Sequence, residues 1–170
     1  MHDFDLNKKT AIITGGAQGF GLDIAKRFIN SGCKVRIWDI DETELKKASN
    51  EINSDKLNYD VVDVSNFTQV KNTAGKIAEN SNIDILINSA GITGPTAELW
   101  NYEISEWLKI IEINLHGTFY CCKAVIPYMI KNNYGRIVNI ASVSGKDGNA
   151  NASAYSCLLY TSPSPRDSDT

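Results

Sequence analysis

The sequence predicts an α/β fold in three layers, a doubly wound parallel sheet with helices on both faces. Two observations carry that expectation. Short apolar segments alternate with amphipathic helical segments from residue 10 to about 156, and such a succession makes neighbouring strands parallel through right-handed crossovers. The residue types that carry chemistry stand directly after those strands. Sheets of this kind hold their ligands there, beyond the carboxyl ends and near the reversal of strand order.

Each element has its own signal. Thr10 to Thr14 (TAIIT) reads as a short buried strand ended by a glycine-rich stretch. Leu22, Ala25 and Ile29, flanked by Ile24 and Phe28, fall at helical spacing, and Gly32 is a natural stop. Cys33 to Asp39 (CKVRIWD) alternates with period two and reads as the second strand. Asp41 caps the next helix, with Glu44 three residues on and an apolar stripe of Leu45, Ala48 and Ile52. Leu57 to Val64 is the third strand, followed by a helix carrying Val70, Ala74 and Ile77. Ile83 to Asn88 (IDILIN) is the fourth strand, residues 103–131 give one or two helices, and Arg136 to Ala141 (RIVNIA) is the fifth strand.

The 170 residues suit one domain, and 42% hydrophobic with 22% charged residues is an ordinary globular balance. A net charge of -3 gives no general attraction to nucleic acid or anionic lipid. The longest apolar runs, such as Ala124 to Ile130 with Pro127 inside it, fall far short of the roughly 20 residues of a membrane span. The acidic start MHDFDLNKKT does not read as a secretory signal. Cys33, Cys121, Cys122 and Cys157 have no disulfide or zinc spacing, and His2 and His116 make no metal centre. A cytoplasmic protein with no nucleic-acid or membrane partner is expected.

After the first strand comes Thr14-Gly15-Gly16-Ala17-Gln18-Gly19-Phe20-Gly21, with a helix opening at its end. Glycines at 15, 19 and 21 allow a tight turn and close approach to a pyrophosphate, and the helix start offers unpaired N–H groups and partial positive charge. Eighteen residues beyond Gly21, Asp39 ends the second strand. A carboxylate there accepts hydrogen bonds from the adenosine ribose hydroxyls and repels a 2′-phosphate, which favours NAD over NADP. Arg36, within the strand, is expected to point away.

These motifs, in order TGGAQGFG at 14–21, Asp39, Asp63-Val64, Asn88-Ser89-Ala90-Gly91, Asn114, Ser142 and Tyr155, resemble those of the classical short-chain dehydrogenase/reductase family. The resemblance runs from about residue 8 to Ser156, and the stretch YGRIVNIASVSGKDGNANASAYS is similar to 3-oxoacyl-acyl-carrier-protein reductases and sugar dehydrogenases. It implies a Rossmann fold, truncated after the fifth strand, and an oxidoreductase moving a hydride between NAD(H) and a secondary alcohol or ketone. Thr14, Gly15, Gln18, Gly19, Phe20 and Gly21 would belong to the cofactor loop. Asp63 would accept from the adenine amino group and Val64 would contact the ring by its backbone. Asn88, Ala90 and Gly91 would form the turn beside the ribose, where Ser89 replaces the family's more usual second Asn. Asn114 would bend its helix and hold a water of the proton relay, Ser142 would hydrogen-bond the substrate oxygen, and Tyr155 would be the acid/base.

The chemistry agrees. Oxidising an alcohol removes a hydride and a proton, so a proton acceptor must stand at the oxygen. A free tyrosine, with a pKa near 10, needs a positive charge nearby to act as that acceptor, best placed four residues on along a helix. The family has lysine there; this chain has Leu159. Residues 157–170 (CLLYTSPSPRDSDT) are expected to be a non-native tail, with Cys157 to Asp167 resembling one reading frame of a sequencing adapter. Residues 1–156 would then be the N-terminal part of the enzyme, inactive as a fragment and poorly stable, with an open edge at its fifth strand. The intact protein would be a homodimer or homotetramer. A catalytically dead nucleotide-binding protein, with Leu159 genuine, is the rival reading. Trp38, Trp100 and Trp107 are expected to pack, Cys121 and Cys122 to be small core residues, and His116 to be solvated. Lys146 and Asp147 stand in a loop that either lines the substrate mouth or is plain surface.

Overall fold

The computed structural model describes residues 5–142, 144–147 and 151–160. Five parallel strands, β1 (Thr10–Thr14), β2 (Lys34–Asp39), β3 (Leu57–Val61), β4 (Ile85–Asn88) and β5 (Arg136–Asn139), form one sheet in the order β3-β2-β1-β4-β5. The chain winds outward from β1 to β3, then crosses back to β4, so the strand order reverses between β1 and β4. The expected doubly wound sheet is what forms.

Helices α1 (Gly19–Asn30), α2 (Glu42–Ile52) and α3 (Phe67–Asn80) connect the early strands. Asp41 caps α2 by accepting from the N–H groups of Thr43 and Glu44, and Leu45 and Ala48 are buried as the stripe predicts. On one sheet face, Ile13, Val35, Ile37 and Ile87 pack with Ala25 of α1 and Leu45 of α2. On the other, Ile12, Trp38 and Leu86 pack with Val70, Ala74 and Ile77 of α3 and with Cys121, Ala124 and Val125. The third layer is thus complete over β1 and β2.

Residues 103–131 form a helical run with one irregularity. α4 (Ile104–Ile110) passes through a π-helical turn at Ile111–His116 into α5 (Gly117–Lys131). Asn114 sits in that turn, so the expected bend takes the form of a π turn. Two short helices follow β5, α6 (Ser144–Asp147) and α7 (Ser153–Tyr160). α7 packs against α4 and the π turn, with Ala154 fully buried and the Asn151 carbonyl accepting from the Ala97 N–H at 2.9 Å.

Several strand ends differ from the expectation. β3 stops at Val61 rather than Val64 because Asp63 turns the chain, its carbonyl accepting from the Asn66 N–H. β2 and β4 begin one and two residues later than read, and β5 ends at Asn139, although the Ile140 N–H still donates to the Asn88 carbonyl. Trp38 packs as expected, but Trp100 is 80% exposed in a short 3-10 turn at Leu99–Asn101. Trp107 meets Tyr102 edge-on. Cys121 is buried and His116 exposed, as read. No helix among the described residues is long and apolar enough to cross a membrane. Residues 161–170, most of the segment read as a tail, lie outside the described residues, as do the side chains of Lys146 and of 157–160.

Candidate active site

The loop after β1 is built by what a side chain would strike. Gly15 has φ +63°, and a Cβ on it would lie 2.8 Å from the Ala90 Cα. A Cβ on Gly16 would meet the Ile37 side chain at 2.6 Å, and one on Gly21 would run into the Gly15 carbonyl. Gly19 is different: its φ is +53°, yet nothing lies within 4 Å of its Cβ position. The first three glycines close the loop on the protein, while Gly19 opens it to a ligand. The Gly16 N–H donates to the Trp38 carbonyl at 3.1 Å, fastening the loop to the end of β2. Gln18 stands at the N-cap of α1 with no side-chain cap, so the first-turn N–H groups remain available.

This loop borders a cleft of about 550 Å³ at the carboxyl ends of the strands. Gly15, Gln18, Gly19, Phe20 and Asp39 line it from β1 and β2, residues 88–93 from β4, Asn114 and Thr118 from the helical run, and residues 140–142 with Tyr155 from beyond β5. A second hollow of about 170 Å³ is lined by Trp38, Asp39, Ile40, Asp63, Val64 and their neighbours. Gly15, Asp39, Ala90, Gly91 and Ile92 line both, so together they offer one elongated groove.

Asp39 lies where the two hollows meet. Its Oδ2 accepts from the Ala17 N–H at 3.3 Å and its Oδ1 from the Asp41 N–H at 3.2 Å. These bonds orient a half-buried carboxylate toward the groove while leaving acceptor capacity on both oxygens. Arg36 is turned the other way: its Nε and Nη2 grip Asp60 at 2.9 and 2.7 Å, and the Trp38 indole N–H shares that carboxylate at 3.2 Å. Among the described residues, the carboxylates on the groove lining are Asp39 and Asp63, an arrangement unsuited to an added 2′-phosphate.

Three residues expected in the cofactor site, Thr14, Gly21 and Asn88, have roles inside the protein. Thr14 is 1% exposed, and its Oγ accepts from the N–H groups of Ser89 and Ala90, both at 3.1 Å. It holds the 89–91 turn from behind. Gly21 is buried and does the same for the loop through its lack of a side chain. The Asn88 side chain also points into the protein, its Nδ2 donating to Asn139 Oδ1 at 2.8 Å and so tying β4 to β5.

The Asn114 side chain bonds Ile92 in both directions. Its Oδ1 accepts from the Ile92 N–H at 2.9 Å and its Nδ2 donates to the Ile92 carbonyl at 2.8 Å. Its backbone carbonyl accepts from the Thr118 hydroxyl at 2.8 Å and retains a second lone pair. Ser142 Oγ accepts from the Ser144 N–H at 3.2 Å, which leaves its proton to donate into the cleft. Tyr155, half-buried near the start of α7, lines the same cleft. Thr93, Thr118 and Ile140 of the lining were missed in the sequence; Thr118, four residues after Asn114, carried a helical-spacing signal.

The family model for short chain dehydrogenases matches residues 9–157. A 2-dehydro-3-deoxy-L-rhamnonate dehydrogenase (NAD(+)) of Sphingomonas sp. (strain SKA58) is 46% identical over 149 residues, covering 87% of this chain and 59% of that protein. A 3-oxoacyl-acyl-carrier-protein reductase of Chlamydia muridarum is 38% identical, covering 88% of this chain and 62% of its own length. Among solved structures, an NAD+-bound xylitol dehydrogenase superposes with a TM-score of 0.88 at 32% identity, over 92% of this chain and 62% of the other. The chain thus spans about three-fifths of the length of the relatives it matches.

Proposed function

Since the chain belongs to the short chain dehydrogenase family, we propose that it is the cofactor-binding portion of an NAD-dependent oxidoreductase that interconverts a secondary alcohol and a ketone. The observation that carries this reading is the single groove, in which the glycine loop, Asp39 and Asp63 share a lining with Asn114, Ser142 and Tyr155. The groove fits a dinucleotide: Gly19 leaves open space where any side chain would intrude, and Asp39 is held to accept from a ribose diol.

NAD, when bound, supplies the hydride acceptor. The chain's own residues do the rest. Asp63 and Val64 border the hollow that suits the adenine ring. Ser142 donates its hydroxyl proton to the substrate oxygen, and Tyr155 takes the alcohol proton in oxidation or returns it in reduction. Asn114 holds Ile92, and through it the wall shared by both hollows.

A sugar-acid or polyol substrate is favoured over a 3-oxoacyl thioester, on the higher identity to the rhamnonate-type relative. A cytoplasmic location is proposed with it. Association into dimers is supported by α5, whose Phe119, Ile126 and Ile130 are exposed along one side. One observation favours the rival, a nucleotide-binding protein without turnover: residue 159, one turn after Tyr155 on α7, is leucine.

Titration with NAD and NADP tests the reading, with tighter binding of NAD expected and the difference narrowed by Asp39→Ser. Absence of NAD binding sinks it. In protein that turns over, Tyr155→Phe is expected to lower the rate by roughly 10²–10⁴; unchanged turnover removes Tyr155 from its role.

A further inference from the structure

The turn after β3 spends its hydrogen bonds almost entirely on one side chain. The Asp63 N–H donates to Gln69 Oε1 at 3.0 Å. Its Oδ1 accepts twice from Ser65, from the N–H at 2.9 Å and from the hydroxyl at 2.6 Å. Gln69 is held in turn, its N–H donating to Asn66 Oδ1 at 3.1 Å as α3 begins. Asp63 Oδ2 makes no hydrogen bond among the described residues, and Asp63 lines the smaller hollow beside Val64.

We infer that Ser65 and Gln69 are positioning residues that fix which oxygen of Asp63 meets the base, so that the chain selects a 6-aminopurine over a 6-oxopurine dinucleotide. The inference rests on the cofactor reading above and deepens it. An ionised carboxylate only accepts hydrogen bonds. Adenine offers it the N6 amino group; at that same point hypoxanthine offers O6, a second acceptor, and its nearest donor is shifted to N1–H, out of line with an oxygen fixed for N6. A carboxylate free to rotate would soften that penalty by turning away. The two Ser65 bonds to Oδ1 hold the carboxylate against that rotation, and the Gln69 bond fixes the backbone that carries it, so the preference is set before the base arrives.

Neither Ser65 nor Gln69 belongs to the groove lining, which is why the roles of Asp63 and Val64 alone did not point to them. The adenine-side hollow is complete within the described residues, and the test therefore needs only this chain. Dissociation constants for NAD and for nicotinamide hypoxanthine dinucleotide are measured by calorimetry on the wild type, Ser65→Ala, Ser65→Thr, Gln69→Leu and Asp63→Asn. The readout is the ratio of the two constants. Partial loss of fold weakens both ligands alike and leaves that ratio unmoved, so a merely structural role gives no signal.

The wild type is expected to favour NAD about tenfold or more, the discrimination typical of a well-placed polar contact to a base edge. Ser65→Ala and Gln69→Leu should each cut the ratio at least threefold, and Ser65→Thr should restore it. In Asp63→Asn, Ser65 still holds the amide oxygen, so the amide nitrogen takes the place of Oδ2 and the ratio moves toward hypoxanthine. If the wild type discriminates but Ser65→Ala and Gln69→Leu keep its ratio, the positioning role is overturned and the cofactor reading stands. A wild type that binds both dinucleotides equally overturns the inference in the same way. A wild type that binds neither overturns both.

Discussion

Replacing Thr14 by valine isolates one polar atom behind the active site. Valine fills the same space, so neither a cavity nor a clash is created at a position only 1% exposed. What is lost is the acceptor for the Ser89 and Ala90 N–H groups, each 3.1 Å from the Thr14 hydroxyl. An orphaned buried donor costs about 1–3 kcal/mol. Both residues are half-buried, which places each at the low end, so the pair costs about 2 kcal/mol. The hydroxyl's own contact to the Ile87 carbonyl, at 3.5 Å, adds little. With a urea slope of about 2 kcal/mol per M, the midpoint should fall by about 1 M at unchanged slope. Urea unfolding followed by tryptophan fluorescence reads this directly. Thr14→Ser, which keeps the hydroxyl, should recover most of the loss. Because the same two amides place the Ala90–Gly91 wall shared by both hollows, NAD affinity should weaken in the valine variant even where folding is complete. A Thr14→Val midpoint within roughly 0.2 M of wild type would refute the argument that this hydroxyl organises the turn.

Gly15→Ala should cost dinucleotide affinity about tenfold or more, since a left-handed conformation strains any L side chain by about 1–2 kcal/mol and the new methyl meets the Ala90 backbone; binding calorimetry checks it. Asp60→Leu should lower the urea midpoint by an amount equivalent to about 2 kcal/mol, most of it from the buried Trp38 indole N–H left without an acceptor. The Arg36 pair, part-exposed on both sides, adds only a little, and Asp60→Asn should fall between. Burial pushes the Cys33 thiol up to about 11 and the Cys121 thiol up to about 12. Their protonated forms are favoured in the fold, so this stabilisation is fully present below the ordinary thiol value of 9.0 and is lost as pH rises through 11 to 12. Stability measured against pH should therefore decline above about pH 9, and Cys121→Ala should flatten the decline.

The sequence made the sheet legible because its central strands β1 and β4 are buried on both faces and its helices on one, so apolar spacing separates the two. The glycine loop and Asp39 were legible for a similar reason: each sits at a strand end, and the chemistry required there is narrow. Strand ends were less so. Val62 and Val64 continue the apolar pattern of β3, yet Asp63 between them draws the chain into a turn through bonds that periodicity does not register. The structural role of Thr14 was hidden because its partners are 75 and 76 positions away; its place in the glycine loop gave no sign that its hydroxyl serves the 89–91 turn. Trp100 was expected to pack, and its exposure follows from a short turn that no helix or strand covers among the described residues. The side chain of Asn114 was read for its chemistry, while its bonds to Ile92 reveal a scaffold role first.

The π turn at Ile111–His116 has a consequence for how this chain tolerates change in length. A π turn amounts to one surplus residue swallowed as a local bulge, with the helix on either side left in its original phase. Ile110 before it and Cys121 after it are both buried and would keep their seats if a single codon were removed between them. What such a deletion would erase is the place of Asn114, with its carbonyl bond to Thr118 and its side-chain grip on Ile92. The packing of this helix and its hold on the cleft are therefore separable by one residue, and the Ile92 wall can be gained or lost without refitting the core beneath it.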